Sequence, residues 1–234
     1  MQLENIRFIL TDIEGTTTSV SFVYDVLFPY FRIHIQRLKE LMDNPQVVEA
    51  FEQTIELAVK EGKIIQKTDE IIQQLLDWSL ADKKITPLKT LQGVLWVDGY
   101  ASGEIKGHVY EDVLPAMKKW KELGLDLGVF SSGSIAAQKL IFGNSEQGDL
   151  RPYFSAYFDT TTGSKRETET YKKIAQIIDI KPEYVLFLSD IREELECAQK
   201  AGYQTIQLVR KGTEKNWKHT VTAFNEIQIN NGKI

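Results

Sequence analysis

Short apolar runs, each closed by a polar residue and separated by helical patterns, constrain this 234-residue chain more than any other feature. They are RFIL before Thr11-Asp12, LGVF before Ser131-Ser132, AYF before Asp159, YVLFL before Ser189-Asp190 and TIQLV before Arg210. Near-continuous runs of this kind suit strands buried on both faces. Between them, RETETYKKIAQIID carries Tyr171, Ile174, Ala175 and Ile178 at i, i+3, i+4 and i+7, the spacing of one helical face. Strands that alternate with amphipathic helices predict an α/β fold, a parallel sheet covered on both sides.

Residues 21–102 read differently. VLFPYFRIHIQRLKELM, PQVVEAFEQTIELAVKEG, DEIIQQLLDWSLADKK and TPLKTLQGVLWVDGY follow one another as amphipathic helices with no strand pattern between them. In the first, Leu27, Phe31, His34, Ile35, Leu38, Leu41 and Met42 share one stripe. Thr86 ahead of Pro87 is the expected cap of the fourth. The stretch is therefore expected to be a helical insert between the first and second core strands, with residues 1–20 and 103–234 forming the core. The tail EIQINNGKI is expected to be loosely held.

Composition narrows the partners. With 42% hydrophobic and 26% charged residues the chain has the make-up of a soluble globular protein. A net charge of −5 argues against nucleic acid, whose phosphates need clustered Lys and Arg. One cysteine, Cys197, excludes an internal disulfide and a cysteine-based zinc site. No basic-then-apolar leader opens the sequence and no run of about 18 apolar residues occurs, so a cytoplasmic protein with no membrane partner is expected.

In an open parallel sheet, residues at the carboxyl ends of strands meet in one crevice. Here those residues are Asp12 and Glu14, Ser131 and Ser132, Asp159 and Asp190, with Lys165 just upstream of a helix. Acids, hydroxyls and one amine make a kit for phosphoryl transfer. A carboxylate attacks phosphorus, a divalent cation offsets charge, and hydroxyl and amine donors hold the phosphoryl oxygens. Charges 4 Å apart interact by about 4 kcal/mol at an effective dielectric of about 20, so the acids need a cation and the lysine. Taken singly, each motif would be ordinary: a polar strand end, a capping serine, a surface lysine. Their joint occurrence at successive strand ends favours the functional reading.

The motifs resemble those of the haloacid dehalogenase superfamily. ILTDIEGTT is similar to its first motif, VFSSGS to the second, GSKRETETY to the third and FLSDIREE to the fourth. FVYDVLFPYFR, GVLWVDGYASGEIKGHVYEDV and VFSSGSIAAQKLIFG further resemble the enolase-phosphatases of methionine salvage, which carry Glu where most superfamily phosphatases carry Asp, as at Glu14 here. The resemblance implies a Rossmann-like parallel sheet core with an inserted helical cap. It implies enolisation of 2,3-diketo-5-methylthiopentyl-1-phosphate, then hydrolysis to 1,2-dihydroxy-3-keto-5-methylthiopentene, with one Mg2+ per subunit. Asp12 would be the nucleophile, forming an aspartyl-phosphate, and Glu14 the acid and base. Ser131, Ser132 and Lys165 would bind substrate, and Asp12, Glu14 and Asp190 would hold the metal.

Other readings stay open. One is a phosphatase of the same superfamily with another small phosphorylated metabolite and no enolase step; another is a non-catalytic phosphate binder. Glu194, four residues after Asp190, fits either a metal-site helper or a solvated acid in the first turn of a helix. Glu14, Lys89, Glu104 and His108 are all candidates for the enolising base. His34 reads as packing, Trp96 and Tyr100 as core or pocket wall, Cys197 as a buried small residue, and VRKGTEKNWKH as a solvated loop. A monomer is expected.

Overall fold

Strand β1 (Phe8–Thr11) is buried along its whole length and must be covered on both faces. The structure is a computed structural model that describes Leu3 and residues 5–229. After β1 come α1 (Val20–Phe22), a π turn (Val23–Leu27), α2 (Phe28–His34), a 3-10 stretch (Ile35–Leu41), α3 (Pro45–Lys60), α4 (Thr68–Leu80), α5 (Thr86–Ser102) and α6 (Val113–Glu122). Then follow β2 (Asp126–Phe130), α7 (Ile135–Gly143), β3 (Ala156–Phe158), α8 (Thr168–Ile177), β4 (Val185–Ser189), α9 (Arg192–Lys200), β5 (Gln204–Leu208) and β6 (Thr220–Val221).

The sheet is parallel throughout, in the order β3-β2-β1-β4-β5-β6. From β1 the chain steps outward to β2 and β3, then returns to the other side of β1 with β4. That reversal is the topological switch point at which open α/β sheets place ligands. Thr11 pairs with Val129 on one side and Leu188 on the other, so Ser131 and Asp190 leave the sheet one residue later than Asp12. Three expected site residues thus leave neighbouring strands at one end of the sheet.

The chain divides into two compact units, an α/β unit running to Val20 and resuming at Gly107, and a helical unit, Ser21–Lys106. In the α/β unit Phe8, Leu10, Phe130, Tyr171, Ile174, Phe187 and Leu195 form part of one core cluster, with half-buried Cys197 packed on its margin. The basic stretch 209–219 is the loop expected from its charge, exposed at Lys211, Gly212, Glu214, Lys215, Asn216 and Lys218, but two of its residues turn inward. Arg210 is buried, Trp217 packs against the core and donates to Thr205 Oγ1 at 3.2 Å, and β6 follows directly. Of the tail expected to be loose, Ile227 and Ile229 are buried and residues 230–234 lie outside the described residues.

In the helical unit the first amphipathic stretch is not one α-helix. Pro29 has no N–H to bond back, and its ring crowds the preceding turn. The chain widens into the π turn, where Phe28 N–H donates to Val23 O, and then tightens into the 3-10 stretch. Leu27, Phe31, Ile35 and Leu38 of the expected stripe are buried, whereas Met42 is exposed. Asn44 caps α3 by accepting from Gln46 N–H at 3.0 Å. Glu70 reaches back to the N–H groups of Gln66 and Lys67 ahead of α4. Ile85, not Thr86, is the cap residue of α5; Thr86 and Pro87 already lie inside the helix. Trp96 is core, donating from Nε1 to Leu27 O at 2.9 Å, and Tyr100 is buried beside it in sequence terms on the same helix. Gly99 is required by close approach: a Cβ there would stand 2.7 Å from Tyr30 Cζ and 2.6 Å from Ile105 Cδ1. His34 stacks on Tyr30 with ring centroids 4.2 Å apart.

Candidate active site

The carboxyl end of β1 passes into a tight turn. Asp12 N–H is still in the ladder, donating to Leu188 O at 2.9 Å. Beyond it the N–H groups of Thr16, Thr17 and Thr18 all converge on Ile13 O, and Gly15 N–H donates to Thr18 O. Gly15 has φ 72°, and a Cβ on it would lie 2.3 Å from Asp190 Oδ2, so only glycine lets the Asp190 carboxylate rest against this turn. Glu14, half-buried, stands in the same turn.

Lys165 arrives from the loop before α8. Its Nζ lies 2.6 Å from Asp12 Oδ1 and 2.7 Å from Glu194 Oε2, with side-chain exposures of 6% for Lys165, 7% for Asp12 and 10% for Glu194. Ser189 Oγ donates to Glu194 Oε2 at 2.8 Å and accepts from Ile191 N–H. Burial pulls Lys165 down, but the carboxylates of Asp12 and Glu194 outweigh it and hold the ammonium above its ordinary value. Burial first, then the charge of Asp12, pushes Glu194 up to about 7 against the opposing pull of Lys165. The same two causes push Asp190 up to about 7.

Asp190 carries the clearest sign of a missing partner. Its Oδ1 is buried with no hydrogen-bond partner. A carboxylate oxygen shut off from solvent with an open lone pair fits a hard cation, which takes oxygen ligands. Among the described residues no three His, Cys, Asp or Glu side chains stand together as a ready metal cage. The expected set of Asp12, Glu14 and Asp190 is therefore not assembled on side chains alone, and a cation there would need main-chain or solvent oxygen as well.

The hydroxyl pair divides. Ser131 is buried, its N–H donating to Phe158 O and its Oγ accepting from Gly133 N–H at 3.1 Å, while Ser132 is exposed. Ser134 is the cap of α7, accepting from Ala137 N–H. Asp159 is occupied by structure: Oδ1 accepts from Thr161 N–H and Oγ1, and Oδ2 from Ile135 N–H. Glu194 is the residue the sequence left undecided, and it is the second anchor of Lys165 rather than a solvated acid.

His108 has a settled role. Ser19 N–H donates to its Nδ1 at 3.1 Å, and Thr18 Oγ1 donates to its carbonyl at 2.6 Å. The neutral ring therefore carries its proton on Nε2, and it has no lone pair left for an enolising proton.

Residues 6–202 match the family of haloacid dehalogenase-like hydrolases. Relatives named enolase-phosphatase E1 are 50% identical over 224 residues in Picosynechococcus sp. and 48% identical over 224 residues in Pseudomonas fluorescens. These alignments cover 95% and 96% of this chain and 98% of each relative. This chain belongs to the enolase-phosphatase E1 family. The crystal structure of the UTR4 protein from Saccharomyces cerevisiae, 32% identical, matches it with a TM-score of 0.81 over 95% of this chain and 100% of that one. Among the described residues, no helix is long and apolar enough to cross a membrane.

Proposed function

We infer that this protein is an enolase-phosphatase of methionine salvage. It enolises 2,3-diketo-5-methylthiopentyl-1-phosphate and hydrolyses the phosphate to 1,2-dihydroxy-3-keto-5-methylthiopentene. The choice of substrate rests on the full-length relatives. For the phosphatase chemistry, the observation that carries the reading is the buried ammonium of Lys165 bridging Asp12 and Glu194 at the switch point of the sheet.

In this reading Asp12 attacks phosphorus and becomes the aspartyl-phosphate. Lys165, kept charged by two carboxylates, neutralises charge on Asp12 and on the phosphoryl oxygens. Glu14 gives a proton to the leaving oxygen, then takes one from the water that releases phosphate. Ser131 and Ser132 supply donors for the phosphoryl group. Asp12, Glu14 and Asp190, together with main-chain or solvent oxygen, would hold a divalent cation, magnesium in this reading, which when bound would offset the charge of the phosphoryl group. The helical unit serves as the substrate-selecting cap. Of the candidates for the enolising base, Glu14, Lys89 and Glu104 remain after His108. The enzyme acts as a cytoplasmic monomer on a small phosphorylated metabolite, a placement that the single cysteine supports.

The test is the purified protein with the diketo phosphate and magnesium. We expect a transient enol signal followed by phosphate release, loss of both after chelation, and no phosphate release from Asp12→Asn. Phosphate release with no enol signal would reduce the protein to a simple phosphatase. Turnover by Asp12→Asn near the wild-type rate would remove the nucleophile assignment.

A further inference from the structure

Arg210 lies far from the motifs in sequence, yet it grips the turn that carries Asp12 and Glu14. Its Nε donates to Thr16 O at 3.1 Å. The rest of the guanidinium is locked: one terminal nitrogen donates to Asp112 Oδ1, the other to Asp112 Oδ2, both at 2.9 Å, and the first also reaches Thr222 O. Asp112 is itself fixed by Phe224 N–H at 2.6 Å. The guanidinium carbon sits 4.1 Å from the centre of the Tyr110 ring and 5.5 Å from that of Phe224. From the same segment Tyr110 N–H donates to Thr17 O at 3.0 Å.

A pair this well satisfied would be adequate as a piece of core. Its direction points to more. Because Thr16, Thr17 and Thr18 all hang on Ile13 O, the turn is one closed loop, and a shift at Thr16 is passed to Glu14 two residues before it. Asp12 is held through the sheet ladder by Leu188 O at 2.9 Å, and the turn touches its carbonyl through a longer bond from Thr17 Oγ1 at 3.3 Å. Loosening Arg210 should therefore disturb Glu14 more than Asp12.

We propose that Arg210 is a positioning residue for the proton transfer by Glu14, acting through the Thr16 carbonyl and braced by Asp112. The proposal rests on the functional reading above, in which Glu14 protonates the leaving oxygen. Arg210→Lys keeps the charge but cannot offer a fork to Asp112 and a third donor to Thr16 at once.

The experiment measures phosphoenzyme formation in a single turnover, before hydrolysis, with magnesium present. One substrate is an alkyl phosphate, whose leaving alkoxide needs a proton. The other is p-nitrophenyl phosphate, whose aryloxide leaves without one. Arg210→Lys is expected to slow the first by about tenfold or more, the scale of a small misplacement, and the second by less than about threefold, with KM little changed on both. Equal losses on the two substrates overturn the proposal and leave the functional reading standing. Absence of phosphoenzyme in the wild type overturns the functional reading and this inference with it. Should Arg210→Lys not fold, Asp112→Asn retains the guanidinium and loosens its brace. It is expected to give the same selective loss at smaller size, and equal losses there overturn the proposal too.

Discussion

The two units bury different kinds of side chain. In the helical unit the buried polar residues are Thr54, Gln74, Ser79 and Gln92, none of them charged, beneath an apolar core that includes Phe31, Leu38, Leu75, Trp78 and Leu91. Its ion pairs stay at the surface: Lys39–Asp69, for instance, has side-chain exposures of 42% and 79%. The α/β unit instead buries Asp12, Asp159, Lys165, Glu194 and Arg210. Desolvating charge opposes folding, so a fold that keeps this many buried charges at one end of a sheet has another reason for them. In this molecule the departures from ordinary core chemistry mark the site more clearly than any motif does alone.

The largest effect should come from removing the cation at the centre of that cluster. Lys165→Met leaves Asp12 and Glu194 facing each other in a dry site. We expect a loss of about 3–5 kcal/mol in urea unfolding at neutral pH and about 10²–10³ in phosphate release. The matching change in the helical unit, Lys39→Met, should cost less than about 1 kcal/mol because its partner is solvated. Similar costs for the two would break the contrast between the units.

Next in size is a cavity in the other kind of core. Leu75 is fully buried in α4, and Leu75→Ala should cost about 2–5 kcal/mol, depending on how far the helices collapse around the space. Every residue assigned to phosphoryl transfer lies in the α/β unit, so p-nitrophenyl phosphate hydrolysis below the melting range should persist. Loss of that activity in a folded Leu75→Ala protein would show that the helical core supports the chemistry directly.

This contrast was legible in the sequence only in part. The strands could be read because β1, β2 and β4 are buried on both faces, which forces continuous apolar runs that end abruptly at polar residues. The helices of the insert could be read from their stripes, but the break around Pro29 could not, because a π turn has no sequence period of its own. Asp12, Lys165 and Asp190 were placed by motif. Glu194 admits two readings in the sequence and the burial of Arg210 within an exposed loop is not visible there, for one reason: the partners that bury them are distant in the chain. Arg210 bonds Asp112 across 98 residues and Thr16 across 194. Charge on a helix or loop looks solvated until the opposite charge is known, and short-range spacing carries no record of it.

The smallest effect asks whether burial of ionisable groups in the α/β unit extends beyond the reaction site. His108 is held neutral, its value lowered chiefly by burial and further by the Arg210 charge, with Glu146 opposing. The unfolded chain takes up a proton near the ordinary value of about 6.5, whereas the folded ring resists it. As pH falls below that point the unfolded state binds more protons than the native state, so stability declines, by at most about 1.4 kcal/mol per pH unit for one proton. At higher pH both states are neutral and the contribution is fully present. Asp190 and Glu194, raised by their surroundings, act in the opposite sense: their burial costs nothing at low pH and weighs against folding as pH rises. The wild-type profile is therefore a sum, and only a difference isolates the histidine. In His108→Asn the amide oxygen can replace Nδ1 as the acceptor of Ser19 N–H without titrating. Urea unfolding of both proteins between pH 5 and 8 should show the variant gaining on the wild type as pH drops. Parallel profiles would mean that Nδ1 is not held by Ser19 in solution, and that the buried charges are confined to the Lys165 and Arg210 clusters.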